Sequence, residues 1–207
     1  MRLVLGGRAF FIVFLWFLVF FSGGSYALEK EGPYSYRVDT KKSVLMWTGK
    51  KLTGTHHGGV KIKKGKVFFV GGLLVGGRVF VDMQSIENKD IKNPKWRQKL
   101  VDHLHSPDFF ATKKYPESWL DVILCVADGS GERKGYRCQC DLTIKGVTQK
   151  VAIHFEINGN TLEGSFSIDR SQFGMTYRSQ SFPLGALSNM VILDEIDFKF
   201  SLAISRD

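Results

Sequence analysis

No nucleophile elbow, P-loop or dinucleotide-binding fingerprint occurs in these 207 residues. The glycine-rich stretches Val70-Gly71-Gly72 and Val75-Gly76-Gly77 lack the Lys-Ser/Thr or helix start that a phosphate cradle needs, so they read as strand kinks or turns. Ser165, Ser167 and Ser171 have no base at motif distance. The sequence therefore gives no support to catalysis: no catalytic residue is assigned and no cofactor is expected. Internal repeats and low-complexity linkers are also missing, which argues for one domain. Cysteine is scarce, at three. Cys138 and Cys140, two apart on a strand, share a face, and Cys125 lies one hairpin arm away. One cross-strand bridge with a spare thiol, or no bridge, are both compatible with that spacing. Beyond Phe21 no segment is apolar for long enough to span a membrane.

The exception lies at the start. Arg2 and Arg8 give a positive opening, Ala9 to Phe21 is unbroken and apolar, and Ser25-Tyr26-Ala27 supplies a small-x-small cleavage pattern. Residues 1–27 are read as an export signal and 28–35 as a lead into the domain. An uncleaved N-terminal anchor is the competing reading. No Cys follows the run, so a lipoprotein box is not supported. The net charge is +9, and loss of both leader arginines lowers it by two. Export argues against nucleic acid as a partner. The bases are spread widely, with Lys61, Lys63, Lys64 and Lys66 as the one dense cluster, so a solvated basic face is the plain reading.

What the mature chain has in quantity is alternation, the period of a half-buried strand. Ile196, Phe198, Phe200, Leu202 and Ile204 fall on one face, with Asp197, Lys199 and Ser201 on the other. Val151, Ile153, Phe155 and Ile157 repeat the pattern, as do Leu162, Gly164, Phe166 and Ile168. So do Tyr136, Cys138, Cys140, Leu142 and Ile144, and Leu120, Val122, Leu124 and Val126. Turn signals separate these runs at Gly71-Gly72, Gly76-Gly77, Asp128 to Gly131, Lys145-Gly146 and Asn158-Gly159-Asn160. About eight short strands, each with one apolar face, must fold that face inward. A closed barrel or a sandwich does so, and closure also removes exposed edges. Eight strands is the size at which a barrel holds side chains or one small ligand. One helix interrupts them: Asn93 caps, Pro94 takes the first helical position, and Trp96, Leu100 and Leu104 recur at fours. Ser106-Pro107-Asp108 then opens a turn bearing Phe109 and Phe110, read as exposed aromatics of a lid or plug.

Histidines cluster as His56-His57 and His103-x-His105, with His154 apart. Adjacent histidines point to opposite faces of a strand, and no third ligand has motif spacing, so structural roles are expected and no metal ligand is assigned.

Several ordered motifs resemble the YceI-like family of lipid- or polyisoprenoid-binding domains. They are Tyr36-Arg37-Val38-Asp39, Ser43 to Trp47, Gly54-Thr55-His56-His57-Gly58-Gly59, and Val81 to Ile86. The most specific runs from Asp102 through Ser106-Pro107-Asp108-Phe109-Phe110, followed by Lys114-Tyr115-Pro116-Glu117. Asp141-Leu142-Thr143-Ile144-Lys145-Gly146 and Ile168 to Gly174 complete the set, which spans about 36–204. The resemblance implies an all-β, lipocalin-like eight-stranded antiparallel barrel with a short helical insertion, usually periplasmic. It implies a tunnel holding a polyprenyl phosphate, a prenylated quinone or a fatty acyl derivative, with no reaction catalysed. Cys140 departs from the family, where Gly usually precedes the Asp-Leu-Thr motif, and a larger residue there shortens a tunnel.

Periodicity and resemblance together nominate Trp47, Phe80, Leu104, Phe109, Phe110, Leu120, Leu142, Phe155, Phe166 and Phe198 as tunnel lining. Arg170 is nominated for the ligand's head group, with Tyr177 and Arg178 beside it, because a guanidinium grips phosphate in a bidentate manner. That role requires Arg170 to be partly exposed. The expected partner is a long-chain isoprenoid or fatty lipid, with transient membrane contact and a dimer as open points. Secretion and N-terminal anchoring stand as alternatives to the periplasm. A packed barrel serving as a protein-interaction or stress-response module, and a His-based metal or haem protein, are the competing functions.

Overall fold

The computed structural model describes residues 33–128, 134–181 and 191–207; the expected leader lies outside them. Nine strands form one antiparallel sheet: β1 (Tyr34–Val38), β2 (Val44–Lys51), β3 (Gly54–Val70), β4 (Leu73–Asn88), β5 (Glu117–Asp128), β6 (Lys134–Ile144), β7 (Val147–Asn158), β8 (Thr161–Asp169) and β9 (Ile192–Arg206). Pairing runs β2-β9-β8-β7-β6-β5-β4-β3 and returns from β3 to β2, which closes the barrel. The ninth strand adds no ninth position. β2 lies between the first half of β3 and β9, and β1 lies between the second half of β3 and the end of β9. Together they make one stave, broken at Asp39–Ser43, where the Asp39 carbonyl accepts from Ser43 N at 3.0 Å. The expected eight-stranded barrel is therefore the observed architecture.

Alternation places the side chains as expected on β6 to β9. Tyr136, Cys138, Cys140, Leu142, Ile144, Ile153, Phe155, Leu162, Ile168, Ile196, Leu202 and Ile204 are buried. Lys145 and Gly146 both take positive φ, 52° and 75°, as a two-residue hairpin turn requires. Gly164 is the one small residue on its inward face. A Cβ there would stand 2.3 Å from the His154 carbonyl oxygen and 2.8 Å from the Phe200 ring, so glycine lets two neighbouring strands bring large rings together.

The pattern fails on β5. A bulge between Val122 and Leu124 inserts a residue and reverses the phase. Leu120 and Val122 face inward as expected, but Leu124 and Val126 are exposed. The same reversal turns Cys125 toward Cys138, its directly opposed partner on β6, and those two form the disulfide. Cys140 remains a free, buried thiol, and burial together with the charges of Asp141 and Asp121 pushes its pKa up to about 12. Gly71-Gly72 makes the β3–β4 turn, whereas Gly76-Gly77 stays within β4 beside an irregularity in its pairing with β3.

Helix α1 (Pro94–His105) begins as the capping signature requires, with Asn93 Oδ1 accepting from Lys95 N at 3.0 Å and Trp96 N at 3.2 Å. Its inner stripe is shorter than expected. Leu104 is buried and Leu100 packs beside it, while Trp96 is exposed and has Lys99 over its ring. Phe109 and Phe110, expected to be exposed, are 6% and 9% accessible. The turn after α1, held by Phe110 N donating to Leu104 O at 3.1 Å, tucks both rings into the barrel mouth. Two apolar clusters result, one filling the end near the β3–β4 turn and one beneath α1.

Candidate ligand cavity and its vestibule

Inside the barrel lies a narrow apolar cavity of about 120 Å³ to which every stave contributes. Along β4 the lining runs from Leu74 through Val79, Val81 and Met83 to Ile86, a strand length on the order of 40 Å. Small volume over a long path describes a bore, not a chamber. At one end the bore stops against packed side chains: Val38, Phe69, Tyr136 and Ile204 are buried but do not line it. Tyr136 there stacks on Phe155 and its hydroxyl donates to Gly72 O at 3.0 Å.

At the other end Trp47 and Phe110 border both the bore and a wider vestibule of about 470 Å³. Polarity changes across this neck. Lys50, Lys51, His56, Lys99, His103, Arg170 and Arg178 line the vestibule, and among the described residues no carboxylate does. Lys50 is committed to Asp197 at 2.6 Å and Glu195 at 3.3 Å. Lys51 and Lys99 make no ion pair among the described residues. The indole Nε1 of Trp47 is buried at the neck without a hydrogen-bond partner among the described residues, an arrangement that costs free energy unless a ligand supplies an acceptor.

His56 is held from behind. Its Nδ1 lies 2.8 Å from Asp90 Oδ2, while Asp90 Oδ1 accepts from His57 N at 2.8 Å and from Asn88 Nδ2 at 2.6 Å. Burial works to raise the Asp90 pKa, but these donors outweigh it and hold the carboxyl at about 2. A permanent carboxylate behind Nδ1 fixes the ring and leaves Nε2 as the other polar edge. His103 is wedged edge-on to Phe109 and Tyr177, 4.8 and 4.6 Å between ring centres, with Asp108 at 3.2 Å from Nε2.

Of the nominated lining, Trp47, Phe110, Leu120, Leu142, Phe155, Phe166 and Phe198 border the bore, and Leu104 and Phe109 border the vestibule. Phe80 does not. It lies on the outer wall against Trp119, with Lys64 Nζ 4.5 Å above its ring, and its neighbours Val79 and Val81 point inward instead. Tyr177 and Arg178 border the vestibule as nominated.

Arg170 is corrected. It is fully buried. Its guanidinium donates to the carbonyls of Met175 at 2.6 Å, Ile192 at 3.0 Å and Leu193 at 3.2 Å. Nη2 also sits 3.1 Å from Asp194 Oδ1, an ion-pair contact outside hydrogen-bond alignment. Burial lowers the Arg170 pKa from its ordinary value and the Asp194 charge opposes that shift. The other Asp194 oxygen accepts from Ser179 Oγ at 2.8 Å and Ser181 Oγ at 2.7 Å. Fully buried, with three of its N–H groups on backbone carbonyls and its charge facing Asp194, Arg170 pins the 3-10 turn Arg170–Phe173 to the start of β9 and is not exposed to grip a phosphate.

Sequence reasoning missed the β3–β4 lining and the basic rim. Alternation of Val79, Val81 and Met83 was the available signal for the first. Lys51, His56 and Lys99 carried none, because their convergence depends on the barrel closing.

A family model described as YceI-like domain matches residues 36–204. A search of curated proteins gave no match. Among solved structures the chain is similar to BcnA of Burkholderia cenocepacia, at 23% identity and TM-score 0.62, over 81% of this chain and 99% of that one. It is also similar to a polyisoprenoid binding domain from Saccharophagus degradans implicated in plant cell wall breakdown, at 15% identity and TM-score 0.56, over 84% and 99%. At these identities the likeness concerns the fold.

Proposed function

This chain belongs to the YceI-like family, and on that premise we propose that it is an exported, non-catalytic carrier whose bore takes the tail of a long-chain amphiphile and whose vestibule takes an anionic head. The observation that carries this reading is the change of chemistry at Trp47 and Phe110, from an apolar bore to a vestibule lined by bases and, among the described residues, by no carboxylate. Burying one methylene contributes about 0.8 kcal/mol, so ten give about 8 kcal/mol. Association costs an estimated 4–15 kcal/mol in lost freedom. The tail alone is marginal, and a head-group contact is what makes a tight complex. With Arg170 buried against backbone carbonyls, Lys51, Lys99, His56 and the Trp47 indole N–H are the donors for it. The Saccharophagus protein's description as a polyisoprenoid binding domain supports an isoprenoid tail, and the narrow bore suits one extended chain better than a fused-ring body. The leader-like residues 1–27 support a periplasmic location as part of this reading.

Native mass spectrometry of protein recovered from its host tests this. A bound molecule of several hundred daltons, removed by organic extraction, is expected. Identical masses before and after extraction would contradict a tight carrier. The head-group element is tested separately by comparing dodecyl phosphate with dodecanol. The phosphate is expected to bind about tenfold more tightly, a difference of 1.4 kcal/mol, and Lys51→Glu with Lys99→Glu to erase that margin while leaving dodecanol binding unchanged.

A further inference from the structure

Helix α1 carries its charge the wrong way round for its own stability. Its first turn holds Lys95 and Arg97 and no acid, although cations at a helix N-terminus oppose the helix dipole. Lys92 stands just ahead of the cap, and Lys99 follows one turn on. Among the described residues none of these four, nor Lys51 on the β2–β3 hairpin, makes an ion pair, and all five are exposed. Of the acids next to them in sequence, Asp90 is taken by His56 and Asp108 by His103, while Asp102 accepts from Gln98 at 2.8 Å. Two apolar side chains stand among the bases. Leu52 in the hairpin is 65% exposed and Trp96 on α1 is 59% exposed, and no large apolar side chain among the described residues is more so. Both belong to the edge of the mouth. Leu52 lies between Lys51 and Thr53, which border the vestibule. Trp96 falls in line with Lys99, Leu100 and His103 at helical spacing, and those three border it as well.

We propose that this rim docks the protein on an anionic lipid bilayer, with Trp96 and Leu52 entering the interface, the five bases against lipid phosphates and the vestibule held to the leaflet. Three observations select a bilayer. A Trp and a Leu set singly in a field of bases is the composition of segments that lie in a membrane interface. Four of the five bases are lysine, which protein interfaces are depleted in and which attracts an anionic surface as a point charge. Their long stems keep the charge at phosphate level while the rings between them sink. The other basic cluster, on the outer wall of β3, is half neutralised: Lys63 pairs with Glu117 and Lys66 with Asp207. The rim is therefore where unpaired positive charge and exposed apolar side chains coincide. It is defined without reference to what the bore holds, so the proposal goes beyond the carrier reading.

Flotation of the protein, in the processed form recovered from its host, with vesicles of phosphatidylcholine and phosphatidylglycerol tests the proposal. Wild type is expected to bind the mixed vesicles at least about tenfold better than phosphatidylcholine alone, and to be released as salt rises from roughly 0.1 M to roughly 0.5 M. Lys95→Glu with Arg97→Glu is expected to weaken binding at least about tenfold, and Leu52→Ser with Trp96→Ser by a comparable factor. Lys61→Glu with Lys64→Glu reverses as much charge on the outer wall of β3 and is expected to change binding less than about twofold. Circular dichroism of each variant checks the barrel. Vesicles with brominated acyl chains are expected to quench tryptophan emission, and Trp96→Phe, which keeps an apolar ring at the rim, is expected to remove most of that quenching. The proposal is overturned if wild type stays off the mixed vesicles at roughly 1 mM lipid, if the β3 pair weakens binding as much as the helix pair, or if Trp96→Phe leaves the quenching intact. Crosslinking of the rim to a protein of the host, without flotation on lipid alone, would name a protein as the occupant and overturn it too. An empty bore would leave each of these outcomes standing, so failure of the carrier reading and failure of docking are told apart.

Discussion

At one end of the barrel Tyr36 meets Phe69 edge-on at 5.3 Å, Tyr136 stacks on Phe155 at 5.4 Å, and Cys125 is bonded to Cys138. At the other end the same staves finish in Lys50, Lys51 and His56, and a short helix followed by Phe109 and Phe110 takes the place of packed strand residues. Strand alternation alone would have filled both ends alike. The difference comes from insertions into the alternation: a 12-residue helix after β4 and the 3-10 turn after β8 open the mouth, while a β-bulge and a disulfide tighten the far end. A hollow barrel of this kind is a packed barrel interrupted on one side.

Four substitutions break or sharpen that contrast, in descending size. Arg170→Ala leaves Asp194 buried and unpaired, and a loss of about 3–5 kcal/mol in denaturant unfolding is expected; Lys in its place cannot reach three carbonyls and a carboxylate at once and should not restore it. At the opposite end, Cys125→Ala with Cys138→Ala opens a bridge spanning 13 residues. The expected cost is about 3 kcal/mol, with chain affinity at the mouth unchanged; a fall in affinity would mean the two ends are coupled. Phe110→Asp puts a charge at the neck and is expected to lower ligand occupancy at least about tenfold, or 1.4 kcal/mol, with unaltered circular dichroism. The smallest effect concerns pH. Asp90 is held at about 2, below its ordinary value of about 3.9. Its contribution to stability is complete above that ordinary value and is lost as pH falls through 2. Asp90→Asn should flatten the acid limb of a stability–pH curve in that window, and a curve unchanged by the substitution would mean the His56 anchor carries no stability.

Much of this was legible before the fold. Strands β6 to β9 keep one phase throughout, so Leu142, Phe155, Phe166 and Phe198 could be placed on the inner wall from spacing. β4 and β5 were not legible to the same degree, because a bulge changes phase without changing composition: Leu124 looks like Leu120, and Phe80 looks a better lining residue than Val79 only on size. Arg170 was misread for a different reason. A guanidinium beside a loop suits a phosphate or three carbonyl oxygens equally well, and only the carbonyls of Met175, Ile192 and Leu193 decide between them. The His56–Asp90 pair, 34 residues apart, arises from long-range pairing that no local pattern encodes.

The central claim is that an alkyl or prenyl tail occupies the bore with its head in the vestibule. Methyl-labelled protein titrated with hexadecyl phosphate, read by intermolecular NOEs, addresses it directly. The account predicts contacts from the chain to the methyls of Leu142 and Leu202 inside the barrel, and phosphate-induced shifts confined to the vestibule, at Lys51, His56, Lys99 and the Trp47 indole N–H. Contacts restricted to Leu73 and Leu124 on the outer wall, with the interior methyls silent, would contradict it.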